Sequence, residues 1–417
     1  VSVSFDADRA AFRAAAAARA ELLGLPRRGD EAWKYTPTAA LVEGGFAPPT
    51  TDTPRPSAPE RHIAGLVADR VFVNGASVGG ADGPAVSLSD AAAHPGWATL
   101  GTLAAFDHIE RDEGGGLIAL NAARATDAAL VSVPAGARLE TPVYLQFHTS
   151  ARAHLQVSPR VVVTVGRGAS LTLVEHHTGA GPCWNNAVTE IVLEDGASLK
   201  LVRIQEQDAG SHHTGATFAR LGRDATLETH DFACGGRLSR SDIRVRLAGS
   251  GAFVNLRGLC LADGERHADQ HTVVFHDAHH THSLELYKGV LLDDARGVFT
   301  GRILVEPGVR GCTTRQENPN LLLSEAARIF TRPQLEIRNN DVKAYHGATV
   351  GRLSPEALFY LRSRGLDLEH ARRVLTAAFA AEIVDAVPSE PVREHLHRWL
   401  EHALGGTGAG PAGDAKR

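Results

Sequence analysis

From about Leu130 to Gly308 the chain alternates apolar and polar residues in short runs that repeat. Four similar segments, GRGASLTL, EDGASLKL, GRDATLET and GSGAFVNL, contain Ala169, Ala197, Ala225 and Ala252. The first two intervals between these alanines are equal, and the third is shorter by a single residue. Each unit reads as a turn, an alternating strand and a second short strand. Alternation with period two sends successive side chains to opposite faces. A near-fixed period of this size in strand-forming sequence implies coils stacked along an axis. A parallel β-helix fits, and so would a sandwich of regular hairpins. The β-helix is preferred because the phase holds over three intervals, and hairpins would more often use two-residue Asn-Gly or Asp-Gly turns.

The pattern continues through Leu284 to Gly351, where runs such as Ile303-Leu304-Val305 and Leu335-Glu336-Ile337 end at Gly, Asp, Asn or Pro. Gln316, Asn318, Asn320, Asn339, Asn340 and Asp341 crowd the joints of this stretch, and turn chemistry explains such residues. Helical signals flank the β region. Phe5 to Leu23 is rich in Ala, Arg and Glu and stops at Gly24 and Pro26. After Gly351, Ser354-Pro355-Glu356 opens a helix ending at Gly365. A second starts at Asp367 and stops before Pro388, and a third runs from Pro391 to Leu404. Their apolar face is wide enough to dock a partner or to pack on the β region. The expected organisation is mainly β with helical ends. It comprises an N-terminal helical region and linker (1–60), a mixed lead-in (61–129), the parallel β-helix (130–350), a C-terminal helical domain (351–404) and a disordered tail (405–417).

Composition narrows the function. The 417 residues hold 43 basic and 48 acidic side chains, a net charge of −5 with no long basic run, which argues against nucleic acid as partner. No apolar run approaches a membrane span. The first residues lack a basic start followed by a clean apolar core, so a cytoplasmic protein is expected. No P-loop, GxSxG elbow or GxGxxG after a strand is present, which excludes an ATPase of that kind and points away from catalysis.

Candidate chemistry lies in cysteines, histidines and one aromatic pair. Cys183, Cys234, Cys260 and Cys312 are too few and too spread for a disulfide scaffold. Cys234 and Cys260 lie at almost the same offset from their repeat alanines, Ala225 and Ala252. Stacked coils would set them roughly 5 Å apart, as a transient sulfur or iron site or as two small buried side chains. Six of the 21 histidines, His267, His271, His276, His279, His280 and His282, crowd one stretch, and imidazole suits iron and zinc. Their spacing matches no closed site. Trp33 and Tyr35, in GDEAWKYTP, read as an anchor pinning the N-terminal helix to the body.

Six blocks in one order extend the reading: YKGVL (287–291), ARGVFTG (295–301), NPNLLLS (318–324), PQLEI (333–337), DVKAYHGATVG (341–351) and LFYLRSRG (358–365). In these the chain resembles the SufB/SufD family, scaffold proteins of the SUF iron–sulfur cluster assembly machine. Its length, the WKYTP motif and the short helical tail resemble the SufD branch more than SufB. The resemblance implies a right-handed parallel β-helix flanked by helical domains. It also implies a non-catalytic scaffold that pairs with SufB through the last coils and with the SufC ATPase through the C-terminal helices. Family members often read DVKCSHGAT, with the histidine facing the partner where a cluster is thought to form. Here His346 matches, as a candidate iron or nascent-cluster ligand, while Ala344 replaces the cysteine. No tightly bound cofactor is implied beyond transient iron or an iron–sulfur cluster at the partner interface; flavin is left open. A homodimer of the isolated chain, a stand-alone iron-binding role and a polysaccharide-acting β-helix enzyme are the alternatives.

Overall fold

The computed structural model describes residues 5–27, 29–50, 52–53, 62–81, 83–87, 113–151 and 153–405. Most of the expected linker, the first part of the helical interlude before Ala129, and the tail after 405 lie outside these residues.

The repeat is a parallel β-solenoid of about eight turns with helices at both ends. Each turn gives one strand to each of two facing parallel sheets. Ser170–Ala180 and Cys183–Leu193 form one turn, and Ser198–Gln207 and His212–Leu221 form the next, in register above it. The repeat alanines sit at the corners, fully buried, and the ladder runs straight through them. Ser198 N–H donates to the Ala169 carbonyl, Thr226 N–H to Ala197 and Phe253 N–H to Ala225. One residue before each alanine the backbone is left-handed, at Gly168, Gly196, Asp224 and Gly251 (φ +66°, +68°, +55° and +75°). Glycine and aspartate tolerate that corner, which accounts for their place in the repeated segments.

Coil length grows along the axis. The coils from Ser170 to Ser198 and from Ser198 to Thr226 are equal, and the coil from Thr226 to Phe253 is a single residue shorter. Those from Phe253 to His282, His282 to Thr313 and Thr313 to Lys343 are all longer than the first two. The inner faces of both sheets close on Leu171, Leu173, Leu199, Leu201, Leu227, Val254 and Leu256, opposite Ile191, Leu193, Leu221, Val245 and Leu247. Burying each such side chain stabilises by about 1.5–3 kcal/mol.

The C-terminal helices are Pro355–Ser363, Leu368–Val384 and Glu390–Ala403. Ser354 and Asp367 cap the first two, accepting from Ala357 N–H and His370 N–H. The second and third helices press Ala380, Ile383, Val392, Leu396 and Leu400 onto outward-facing Val202, Ile204, Phe232, Leu259 and Leu261. The first buries nothing and exposes Phe359 and Tyr360. The wide apolar face is thus divided: two helices pack on the solenoid and one stands free of it.

The N-terminal helix Phe5–Leu23 lies against the helix Gly115–Arg124, where Arg13 donates to the Ala123 carbonyl. The aromatic anchor is real and more than apolar. Trp33 is buried under the Arg240 guanidinium, 3.7 Å from its ring centre. Arg240 also donates to the Ala32 carbonyl (2.8 Å) and to Asp269 (2.7 Å), while Thr36 Oγ1 donates to Asp269 (2.5 Å). Tyr35 stacks on Phe330, 4.4 Å between ring centres.

The two cysteines do not pair. Cys260 stands opposite Ala233, so Cys234 falls one position further along. The coil between them is the short one, and a slip of a single residue sends the side chains to opposite faces. Cys260 points inward beside Ala262 and Leu291, whereas Cys234 points outward beneath the C-terminal helices.

Candidate functional site

Strand register builds a column of inward positions along one sheet. Leu201 stands over Thr229, then Leu256, Glu285, Gln316 and finally His346. The column is apolar through Leu256 except for Thr229 and then turns polar. Glu285 and Gln316 are buried, while His346, on the last strand Val342–Gly351, is exposed because no further coil among the described residues covers it. Ala344 occupies the neighbouring inward position, opposite Thr314.

Behind His346 the polar groups are linked. Gln316 Nε2 donates to Glu285 Oε2 at 3.1 Å, and Thr272 Oγ1 donates to the same oxygen at 2.5 Å. Glu285 Oε1 and Gln316 Oε1 have no partner among the described residues. Burial pushes the Glu285 carboxyl up to about 7, although bonds from Thr272 and Gln316 pull the other way. Gly301, across the interior, leaves room for this chain: a Cβ there would lie 2.1 Å from Gln316 Nε2. The second glycine of ARGVFTG is therefore a space requirement of the polar lane. Beside it Asn318 Nδ2 donates to the Tyr287 carbonyl at 2.8 Å, and Asn320 Nδ2 to Asn318 Oδ1 at 2.7 Å.

These residues correct one expectation. Gln316, Asn318 and Asn320 are not at turns; they are alternate inward residues of the strand Cys312–Leu322. Only Asn339, Asn340 and Asp341 form a turn, where Asp341 N–H donates to Asn339 Oδ1. The signal was present in the spacing, since polar residues two apart share a strand face.

Around the mouth, the last strand of each sheet pairs with no further strand among the described residues: Arg328–Ile337 on one and Val342–Gly351 on the other. Phe330, Ile337, Tyr345 and Val350 are exposed apolar side chains there. Arg315 lies over the Tyr345 ring at 5.3 Å, and Arg332 reaches Glu31 at 2.7 Å. Among the described residues the end face offers the His346 imidazole and no thiol. All four cysteines are buried, and burial pushes Cys183 and Cys260 up to about 12 and Cys234 well above the ordinary thiol range.

The histidine-rich stretch separates into unrelated roles. His267 contacts Thr36 Oγ1 at 3.1 Å, and His271 pairs with Asp269 at 2.9 Å. His276 is buried between Thr281 and Ser283. His279 accepts from Arg310 N–H, His280 turns a corner at φ +57°, and His282 is exposed. Among the described residues, no three of these six bring ligand atoms together. Close sequence spacing does not survive a strand, a turn and a second strand.

Residues 147–379, more than half of the chain, match the family model described as SUF system FeS cluster assembly, SufBD core domain. The chain is 30% identical over 390 residues to the iron–sulfur cluster assembly protein SufD of Escherichia coli, covering 89% of this chain and 88% of that protein. It is 30% identical over 408 residues to an iron–sulfur cluster assembly SufBD family protein of Synechocystis, covering 91% and 88%. With SufD of Bacillus subtilis it shares 30% over 293 residues, 69% of this chain and 67% of that protein.

Proposed function

The chain belongs to the SufB/SufD family of SUF iron–sulfur cluster assembly proteins, and we propose that it acts there as a non-catalytic scaffold of the SufD kind. It pairs with SufB through the last coils and with the SufC ATPase through the C-terminal helices. The observation that supports this most is the uncapped solenoid end. Two free strand edges and four exposed apolar side chains surround His346 at the mouth of a polar lane. Edge strands of this length invite another chain to pair with them. The exposed Phe359 and Tyr360 of the helix Pro355–Ser363 give the ATPase a separate apolar contact.

At the paired face the nascent cluster is cargo. His346 supplies one imidazole nitrogen, and the thiolates come from SufB because Ala344 has none to offer. Glu285, two coils in, holds or releases a proton near neutrality and reaches toward the mouth through Gln316. No helix among the described residues is long and apolar enough to cross a membrane. The same reading places the work in the cytoplasm. The family assignment supports the scaffold reading over the polysaccharide-acting alternative.

The test is co-purification with SufB and SufC of the same source, with the tag on this chain alone. A three-protein complex that assembles a visible-absorbing cluster, and loses it on His346→Ala while staying assembled, supports both scaffold and site. Retention of the cluster in that variant removes His346 from the metal. Failure to bind either partner, with stable self-association and stoichiometric iron, turns the reading to an iron-binding homodimer.

A further inference from the structure

Far from the open end, three ligand-bearing side chains converge between the solenoid wall and the last helix. His176 lies on the strand Ser170–Ala180 and Glu206 on the strand Ser198–Gln207 one coil on. Ile204 is the partner of His176, so Glu206 stands two residues further along, on the same outward face. His395 descends from the helix Glu390–Ala403. His176 Nε2 is 2.7 Å from Glu206 Oε2, and His395 Nε2 is 2.8 Å from the same oxygen. The three ligand atoms all lie within 4.8 Å of one another, and all three residues are buried. Among the described residues this is the sole group of its kind.

The geometry points to a binding site for a divalent transition-metal cation of the zinc(II) or iron(II) class, held by His176 Nε2, Glu206 and His395 Nε2. Two imidazoles and a carboxylate are the donor set such ions take, with a position left for a small exogenous ligand. Tetrahedral ligands at about 2.0–2.1 Å from an ion stand roughly 3.3 Å apart, so the present spacing needs to open by only about 0.5 Å per nitrogen–oxygen pair. The other ring nitrogen of His176 already has its outer partner. Tyr144 Oη lies 2.9 Å from Nδ1 and can accept a hydrogen bond from Nδ1–H once Nε2 binds metal. Val174, Val202, Ile204, Phe232 and Leu396 make the surroundings apolar, which strengthens a charged contact once formed. Each imidazole meets the ion through a bare Nε2 and keeps one proton on Nδ1, and the second proton of an imidazolium leaves to solvent. Because one ligand comes from the last helix and two from the coils, occupancy fastens the C-terminal helices to the solenoid. This site is separate from His346, and neither depends on the other.

The experiment begins with the full chain stripped by chelator, then given zinc(II) alone or, without oxygen, iron(II) alone. Metal retained after desalting is counted. One tightly held equivalent is expected in the wild type and in His346→Ala, and none in Glu206→Gln or His395→Gln. Tyr144→Phe acts on the position of His176 and weakens binding roughly tenfold. Circular dichroism reports whether each variant folds. X-ray absorption of the zinc-loaded wild type needs no variant, and it should show imidazole scattering and only nitrogen or oxygen neighbours. No retained equivalent, an equivalent that survives both Gln variants, or sulfur bound to the zinc overturns the site and leaves a hydrogen-bonded clasp.

Discussion

The two ends of the solenoid are finished differently. At the N-terminal end the outermost strands are Ala76–Gly79 on one sheet and Ala85–Ser87 on the other, short and antiparallel to their neighbours Arg70–Val73 and Ala129–Val133. Strands so short, with reversed direction, give an incoming chain little to extend. At the other end, Arg328–Ile337 and Val342–Gly351 are long parallel strands with exposed apolar side chains and, among the described residues, free outer edges. Both ends stop the same coil, so the contrast is not a consequence of the repeat. One end is blunted and the other is left able to pair, which is why the proposed partner is assigned to that end.

The largest effect tests what braces the open end from within. Trp33, Tyr35 and Thr36 run from Arg240 and Asp269 to the last strand at Phe330. Asp269→Ala takes one of the two carboxylates from buried Arg240, leaving Asp242, and removes the 2.5 Å bond from Thr36. A loss of about 3–5 kcal/mol is expected. Hydrogen exchange should rise first at Glu31–Thr36 and along Arg328–Ile337, with the inner coils still protected. Uniform loss of protection would mean that the brace and the coils unfold as one unit.

A second pair of variants sets inside against mouth in one column. Leu256→Ala removes a buried inward side chain and should cost about 2–5 kcal/mol in urea unfolding. His346→Ala, further along the same column, should change stability by less than about 0.5 kcal/mol while abolishing cluster assembly with the partners. A comparable stability loss in both would show that the last coil is packed like the rest and not open.

How far the chain could be read follows from the same geometry. The repeat alanines exposed the solenoid because Gly168, Gly196, Asp224 and Gly251 mark the same left-handed corner in coils of near-equal length. After His282 the coils lengthen and the period fades. The pairing expected of Cys234 and Cys260 fails for a related reason, since a nearly constant period still allows a slip of a single residue. The polar lane was hidden differently. Asn318 and Asn320 are turn-forming residue types, and only register shows that they and Gln316 share an inward face with Glu285. His346 was singled out by the family resemblance alone. His395, far from His176 and Glu206 in the chain, had no local signal at all.

The smallest effect asks how dry the open end is. Glu285 sits two coils behind His346, and its carboxyl is raised from 4.5 to about 7 by burial. A raised carboxyl binds its proton more tightly folded than unfolded. The stabilisation from that neutral form is therefore full below pH 4.5 and is lost as pH rises through about 7. The whole swing is on the order of 3 kcal/mol if the lane excludes water. Glu285→Gln keeps an acceptor for Thr272 and Gln316 and removes the titration. The variant should match the wild type near pH 5 and exceed it by about 1–3 kcal/mol at pH 8, read from urea midpoints across that range. Two parallel stability profiles would mean that water enters from the uncovered end as far as Glu285. In that case the wild type should regain its pH slope only when a partner closes the mouth.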